Sequence, residues 1–131
     1  MAERAAFALD PEPLLGTWHN TNVASPRIAR IEIERDGAQI AVRAFAADEP
    51  EPRAWGPARG WLFAGHFEAT RASAFSASLE SSALEVQLQA NLKGGVLVVA
   101  AFSRFRDERG PAGHFGREFY HRLPAPGGER P

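Results

Sequence analysis

The chain contains no cysteine. That excludes a disulfide framework, a thiolate nucleophile and a cysteine-bound metal. It also lacks a charge imbalance: 15 Lys and Arg stand against 16 Asp and Glu, for a net charge of -1. A nucleic-acid partner calls for a basic patch, so none is expected. No apolar run approaches the ~20 residues of a membrane helix. The opening MAERAAFALDPEP has no apolar core of a secretory leader, because Glu3, Arg4 and Asp10 interrupt it. A soluble cytoplasmic protein with no membrane partner is expected. There is no Gly-x-Ser-x-Gly elbow, phosphate loop or paired-carboxylate motif, so no cofactor is expected. The four histidines, His19, His66, His114 and His121, show no metal-ligand spacing, and no metal is expected.

What the sequence does contain is alternation. RIARIEIE (27–34) sets Ile31 and Ile33 against Arg30, Glu32 and Glu34; QIAVRAFA (39–46) alternates as well, and Asp36-Gly37 between them is a hairpin signal. LEVQLQANLK (84–93) has the cleanest period of two, and Gly94-Gly95 turns it into VLVVAAFSRF (96–105). RDERGPAG (106–113) reads as a longer turn before a last strand, HFGREFYHRL (114–123). With LLGTWHNTN (14–22), GWLFAGHFEA (60–69) and SAFSASLE (73–80), about eight strands follow one another without long helices. The expected fold is all-β: one antiparallel eight-stranded up-and-down barrel over residues 14–123. Residues 1–13 form an N-terminal segment, with a short helix expected over 2–9. Residues 46–60, AADEPEPRAWGPARG, read as a long proline-rich loop, and 124–131 as a disordered tail.

A first strand carrying Gly16-Thr17-Trp18 at the head of such a meander resembles the lipocalin-like, or calycin, barrels. The resemblance implies a sharp bend at Gly16 and a tryptophan plugging the barrel base. An arginine from a late strand, here Arg104, Arg117 or Arg122, would lie across the indole. GTWHN is also similar to the start of avidins, in which Asn20 and Ser25 would sit at the ligand; no tryptophan follows Trp61, whereas avidins bring further ones.

An eight-stranded barrel either holds one small ligand or fills itself. The expected function is binding of a small hydrophobic molecule with one polar end in the barrel cavity. The alternatives are a cyclase- or isomerase-type barrel enzyme and a filled barrel acting as an interaction module. The candidate ligand residues are Asn20, Trp55, Trp61, Phe63, Phe102, Arg104, Phe119 and His121. Trp55, on the proline-rich loop, is the candidate lid; Phe67 and Phe75 join the aromatics read as core or pocket wall. If there is chemistry, REFYHR carries it. Arg117, Phe119 and His121 facing inward would pair a cation with a proton-moving imidazole; Glu118, Tyr120 and Arg122 facing inward would desolvate a carboxylate. The first parity is preferred, because it sends Phe115 and Phe119 to the core. VLVVAAF (96–102) is apolar on both faces, so its outer side, Leu97, Val99 and Ala101 or their neighbours, calls for a cover. A homodimer through the 96–105 face is expected, with Phe7 and Leu9 of the N-terminal segment as the rival cover.

Overall fold

The computed structural model describes residues 9–122 apart from 26, 47–53, 82 and 108. The expected helix over 2–9 (but for Leu9), the tail 124–131 and Phe7 lie outside them. Eight strands form one closed barrel: β1 (Gly16–Asn20), β2 (Ile28–Asp36), β3 (Gln39–Ala46), β4 (Ala54–Phe63), β5 (Ala74–Glu80), β6 (Leu84–Lys93), β7 (Val96–Phe105) and β8 (His114–Arg122). Each pairs antiparallel with the next, and β8 closes on β1 with Trp18 opposite Arg122 and His19 opposite His121. The expected up-and-down barrel is therefore the observed one. Full closure leaves no free sheet edge. Gly94 and Gly95 both take positive φ, +60° and +83°, as the tightest hairpin turn requires. No helix among the described residues is long and apolar enough to cross a membrane.

β1 is shorter than the 14–22 of the sequence reading and β2 runs on to Asp36, but the largest differences are at the two ends of β4. The proline-rich stretch is partly strand, since β4 begins at Ala54. Its pairing with β3 slips between Val42 and Ala44, so that Gly56 and Pro57 bulge opposite Arg43. A bulge is where a strand tolerates proline. At the other end β4 stops at Phe63, and residues 64–73 form the connection to β5, with Phe67 fully exposed.

The base of the barrel is built around Trp18. A short 3-10 turn, Glu12–Leu14, crosses beneath it, and the Trp18 indole N–H donates to the Leu14 carbonyl at 2.9 Å. The Arg122 guanidinium lies 4.7 Å above the indole and donates to the carbonyls of Pro13 and Leu15. Cation–π attraction and packing act together there. Gly16 is needed twice over. Its φ is +123°, and a Cβ at this position would meet Arg122 Cδ at 3.0 Å. Above Trp18 the interior is filled by Ile31, Ile33, Ile40, Val42, Phe75, Leu79, Leu88, Leu97 and Val99, all essentially without solvent contact. Leu9 packs against this core at the edge. Leu97 and Val99 thus point inward, and the apolar outer side of β7 is formed by their neighbours Val98, Ala100 and Phe102.

Candidate functional site

The position of Arg122 over Trp18 fixes the parity of β8. Glu118, Tyr120 and Arg122 face in; Phe115, Arg117, Phe119 and His121 face out. The preferred parity is thereby corrected. An arginine that must cover the base carries residues 118 and 120 to the same side, because side chains alternate. Phe115 and Phe119 are consequently on the outer wall, Phe119 at 49% exposure.

Of the residues expected to line a cavity, Asn20 and Trp55 are inside the barrel. Trp55 is 8% exposed and belongs to the core, so it is a wall residue of β4 rather than a loop lid. Trp61, Phe63, Phe102, Arg104, Phe119 and His121 lie outside, as does Arg117. Among the other aromatics, Phe75 is core and Phe67 is exposed. Arg104 is paired with Glu85 on the surface, and the contact holds the Glu85 carboxyl below its ordinary range.

The inward polar residues cluster where β1 ends, two residues beyond Trp18, at the β1, β2 and β8 side of the barrel mouth. The Asn20 amide donates to the Ile28 carbonyl at 3.0 Å and to Glu118 Oε1 at 2.9 Å. Ser25 Oγ donates to Glu118 Oε2 at 2.7 Å, and Tyr120 Oη donates to the Ile28 carbonyl at 2.7 Å. Asn20 Oδ1 accepts the Asn22 backbone N–H at 2.8 Å. Burial, and then the adjacent Glu118 carboxylate, push the Tyr120 phenol well above its ordinary value, so it keeps its proton at neutral pH. The cluster is self-satisfied. Asn20 spends both amide protons, and Glu118 has a donor on each oxygen, so the group braces the barrel mouth. Asn20 and Ser25, the two avidin-like positions, are both committed to Glu118.

The outer wall divides differently. Across β4 to β8 the outward residues fall into registered rows. One row is Phe63, Ala74, Asn91, Val98 and Phe119; the next is Trp61, Ser76, Gln89, Ala100 and Arg117; a third is Ser78, Gln87, Phe102 and Phe115. Large aromatics stand on the flanks, Trp61 and Phe63 on β4 and Phe102, Phe115 and Phe119 on β7 and β8. Small residues and the amides of β6 form the floor between them. The result is a groove of about 440 Å³, lined by Phe63, Ala74, Ser76, the β6 amides, Val98, Ala100 and Arg117. Phe102 and Phe115 pack with ring centroids 4.9 Å apart, and guanidinium groups already lie 5.4 Å from aromatic rings at both flanks, Arg59 at Trp61 and Arg117 at Phe115. Among the described residues, five of the seven large exposed hydrophobic side chains are on this wall.

A smaller hollow of about 310 Å³ lies at the rim of the mouth between His19, Asn22, Val23, Ala29 and His121. The two imidazoles face each other across β1 and β8 with centroids 6.4 Å apart. Partial burial, then the Arg30 guanidinium and His121, lower the pKa of His19, so this ring is neutral at neutral pH. No group of three metal-ligating side chains occurs among the described residues.

Sequence reasoning missed Phe115 and the Gln87, Gln89, Asn91 floor as parts of one surface. The signal was present in LEVQLQANLK, whose polar positions are amides along most of their length, where charges are the usual choice for a solvated face. Comparison with family models, with curated proteins and with solved structures returns no match.

Proposed function

We propose that this protein is a binding module that works through its outer wall, with a barrel that serves as the rigid support. One observation carries the reading: on β4 to β8 the interior is closed by packed side chains, Trp55, Phe75 and Tyr120 among them, while five further aromatics, Trp61, Phe63, Phe102, Phe115 and Phe119, are turned outward. Interfaces enrich aromatics and arginine at their cores and deplete lysine and carboxylates. The three rows described above hold five aromatics and one arginine, and neither a lysine nor a carboxylate. A carrier of a hydrophobic molecule needs apolar lining that faces a void; here the inward apolar side chains pack against one another, and six of the eight expected ligand residues point outward. The inward carboxylate and phenol are each held by hydrogen bonds within the cluster, Glu118 by Asn20 and Ser25 and Tyr120 by the Ile28 carbonyl.

The three tryptophans report on three places: Trp18 at the base, Trp55 in the interior and Trp61 on the wall. Their indole N–H resonances are followed while a twelve-carbon fatty acid is titrated in. The wall reading expects the Trp18 and Trp55 signals to stay fixed. A saturable shift of either would place the ligand inside the barrel and overturn the reading in favour of a carrier.

A further inference from the structure

The wall has a feature that single-chain stability does not require: its two flanks complement each other. We infer that the partner of this wall is a second copy of the same chain, docked face to face about a two-fold axis that runs along β6. The inference rests on the outer-wall reading and names its partner.

Two aligned sheets packed face to face admit a two-fold axis along the strands or across them. An axis across the strands keeps each column on itself. It would bring Arg117 against Arg117 of the partner subunit, two like charges in a desolvating interface. An axis along β6 exchanges β4 with β8 and β5 with β7 while keeping the rows. Trp61 then faces Arg117 of the partner subunit, and Phe63 faces Phe119 of the partner subunit, each pair occurring twice. Arg59, the next outward residue of β4, comes over Phe115 of the partner subunit. Arg59 and Arg117 thus each meet an aromatic ring, where the attraction grows as water is excluded, and the charged ends of the outward β6 face, Glu85 and Lys93, lie on the axis beyond the three rows. Arg117 has no carboxylate within salt-bridge distance among the described residues, so no ion pair is broken to form this contact.

Shape agrees with charge. A barrel wall curves away on both sides of its central strand. Here the crest, β5 to β7, carries small residues and amides over the first two rows and Phe102 in the third, while the flanks carry Trp61, Phe63, Phe115 and Phe119. Large flanks and a low crest turn a convex wall into a surface that can meet its own copy along both edges. The amides of Gln87, Gln89 and Asn91 lie on the axis. Each meets its own equivalent, and an amide can both donate to and accept from another amide. The five strands span about 20 Å.

The test uses the full chain, which offers no native thiol to confuse it. Sedimentation from low micromolar to 100 µM is expected to climb from the 14.2 kDa chain mass towards twice that mass, and Arg117→Glu, which sets a carboxylate against an indole face, is expected to weaken association at least tenfold. Geometry is then read with a short bis-thiol reagent, because facing sheets stand about 10 Å apart and a direct disulfide does not reach. Gln87→Cys, on the axis, cross-links with itself. Ser76→Cys and Ala100→Cys cross-link with each other when mixed, and neither does so alone. Self-linking of Ser76→Cys would show the axis across the strands and overturn the assignment. A monomer mass at 100 µM for the wild-type chain would overturn the second copy as partner. If the fatty-acid titration also leaves Trp18 and Trp55 fixed, that monomer result removes the dimer alone; a shift of either indole removes the wall reading itself.

Discussion

β2 and β8 are strands of one barrel, built on the same pleat, and they distribute polarity in opposite ways. On β2, Ile31 and Ile33 point in, while Arg30, Glu32 and Glu34 point out. The outward charges are paired, Arg30 with Glu32 at 3.3 Å and Glu34 with Arg43 of β3 at 3.6 Å. On β8 the polar side chains Glu118, Tyr120 and Arg122 point in, and Phe115 and Phe119 point out. β2 is what a water-facing wall looks like. β8 tolerates inward polarity because every inward group has a partner: Arg122 has Trp18 and two carbonyls, Glu118 has Asn20 and Ser25, and Tyr120 has the Ile28 carbonyl. The outward aromatics keep large exposed areas among the described residues, Phe119 at 49%, even where Arg59 and Arg117 lie against Trp61 and Phe115. The contrast separates two jobs that alternation alone leaves mixed. One face of a strand answers to the core, and the other answers to whatever meets the wall.

The comparison breaks first at the base. Trp18→Ala removes the ring that Arg122 covers and should cost about 3–5 kcal/mol through the cavity it leaves. Urea unfolding measures it; a loss under about 1 kcal/mol would mean the base is not a packed plug. Next comes the pair of outward and inward positions. Ile33→Ala on β2 should cost about 2–5 kcal/mol, whereas Phe119→Ala on β8, at high dilution, should cost about 1 kcal/mol or less because half its surface is already in water. Equal costs would show that Phe119 belongs to the core.

The polar mouth gives a smaller effect. Glu118→Ala orphans the Asn20 amide and the Ser25 hydroxyl, for roughly 1–3 kcal/mol. Asn20→Ala made in the Glu118→Ala background should then add less than it does alone. Additive costs would mean that the two side chains act separately. Tyr120 makes a pH prediction. Its folded pKa lies above its unfolded value, so the native state holds a proton that the unfolded chain gives up. Stability is unaffected below about pH 10 and falls as pH rises beyond it, by up to about 1.4 kcal/mol per unit. Tyr120→Phe should flatten that alkaline slope. The smallest effect is expected on β2, where Arg43→Ala breaks only an exposed ion pair and should change stability by about 0.5 kcal/mol or less, with no change in mass by sedimentation.

Much of the barrel is legible in the residues. β3, β6 and β7 begin and end where alternation places them, and Asp36-Gly37 and Gly94-Gly95 mark their turns. The start of β4 is hidden by Gly56-Pro57, because a bulge tolerates the residues that otherwise announce a loop. The sides of β8 are hidden for another reason. Alternation gives two parities, and choosing the one that buries Phe115 and Phe119 assumes that aromatics go inside. The deciding information was long-range: Arg122 must reach Trp18 across the β1–β8 closure, which local periodicity does not encode. Once that contact is known, the inward Glu118 and Tyr120 and the outward aromatics all follow. The same contact explains why the candidate site moved from the interior to the wall.

The interior of the barrel is packed, and we propose that the outer wall is where this protein meets its partner. The most direct measurement is the indole N–H spectrum of the protein as a function of its own concentration, from low micromolar to millimolar. The Trp61 signal should move along a single binding curve while Trp18 and Trp55 remain in place. A Trp61 signal that ignores concentration, or a Trp55 signal that follows it, would contradict the account.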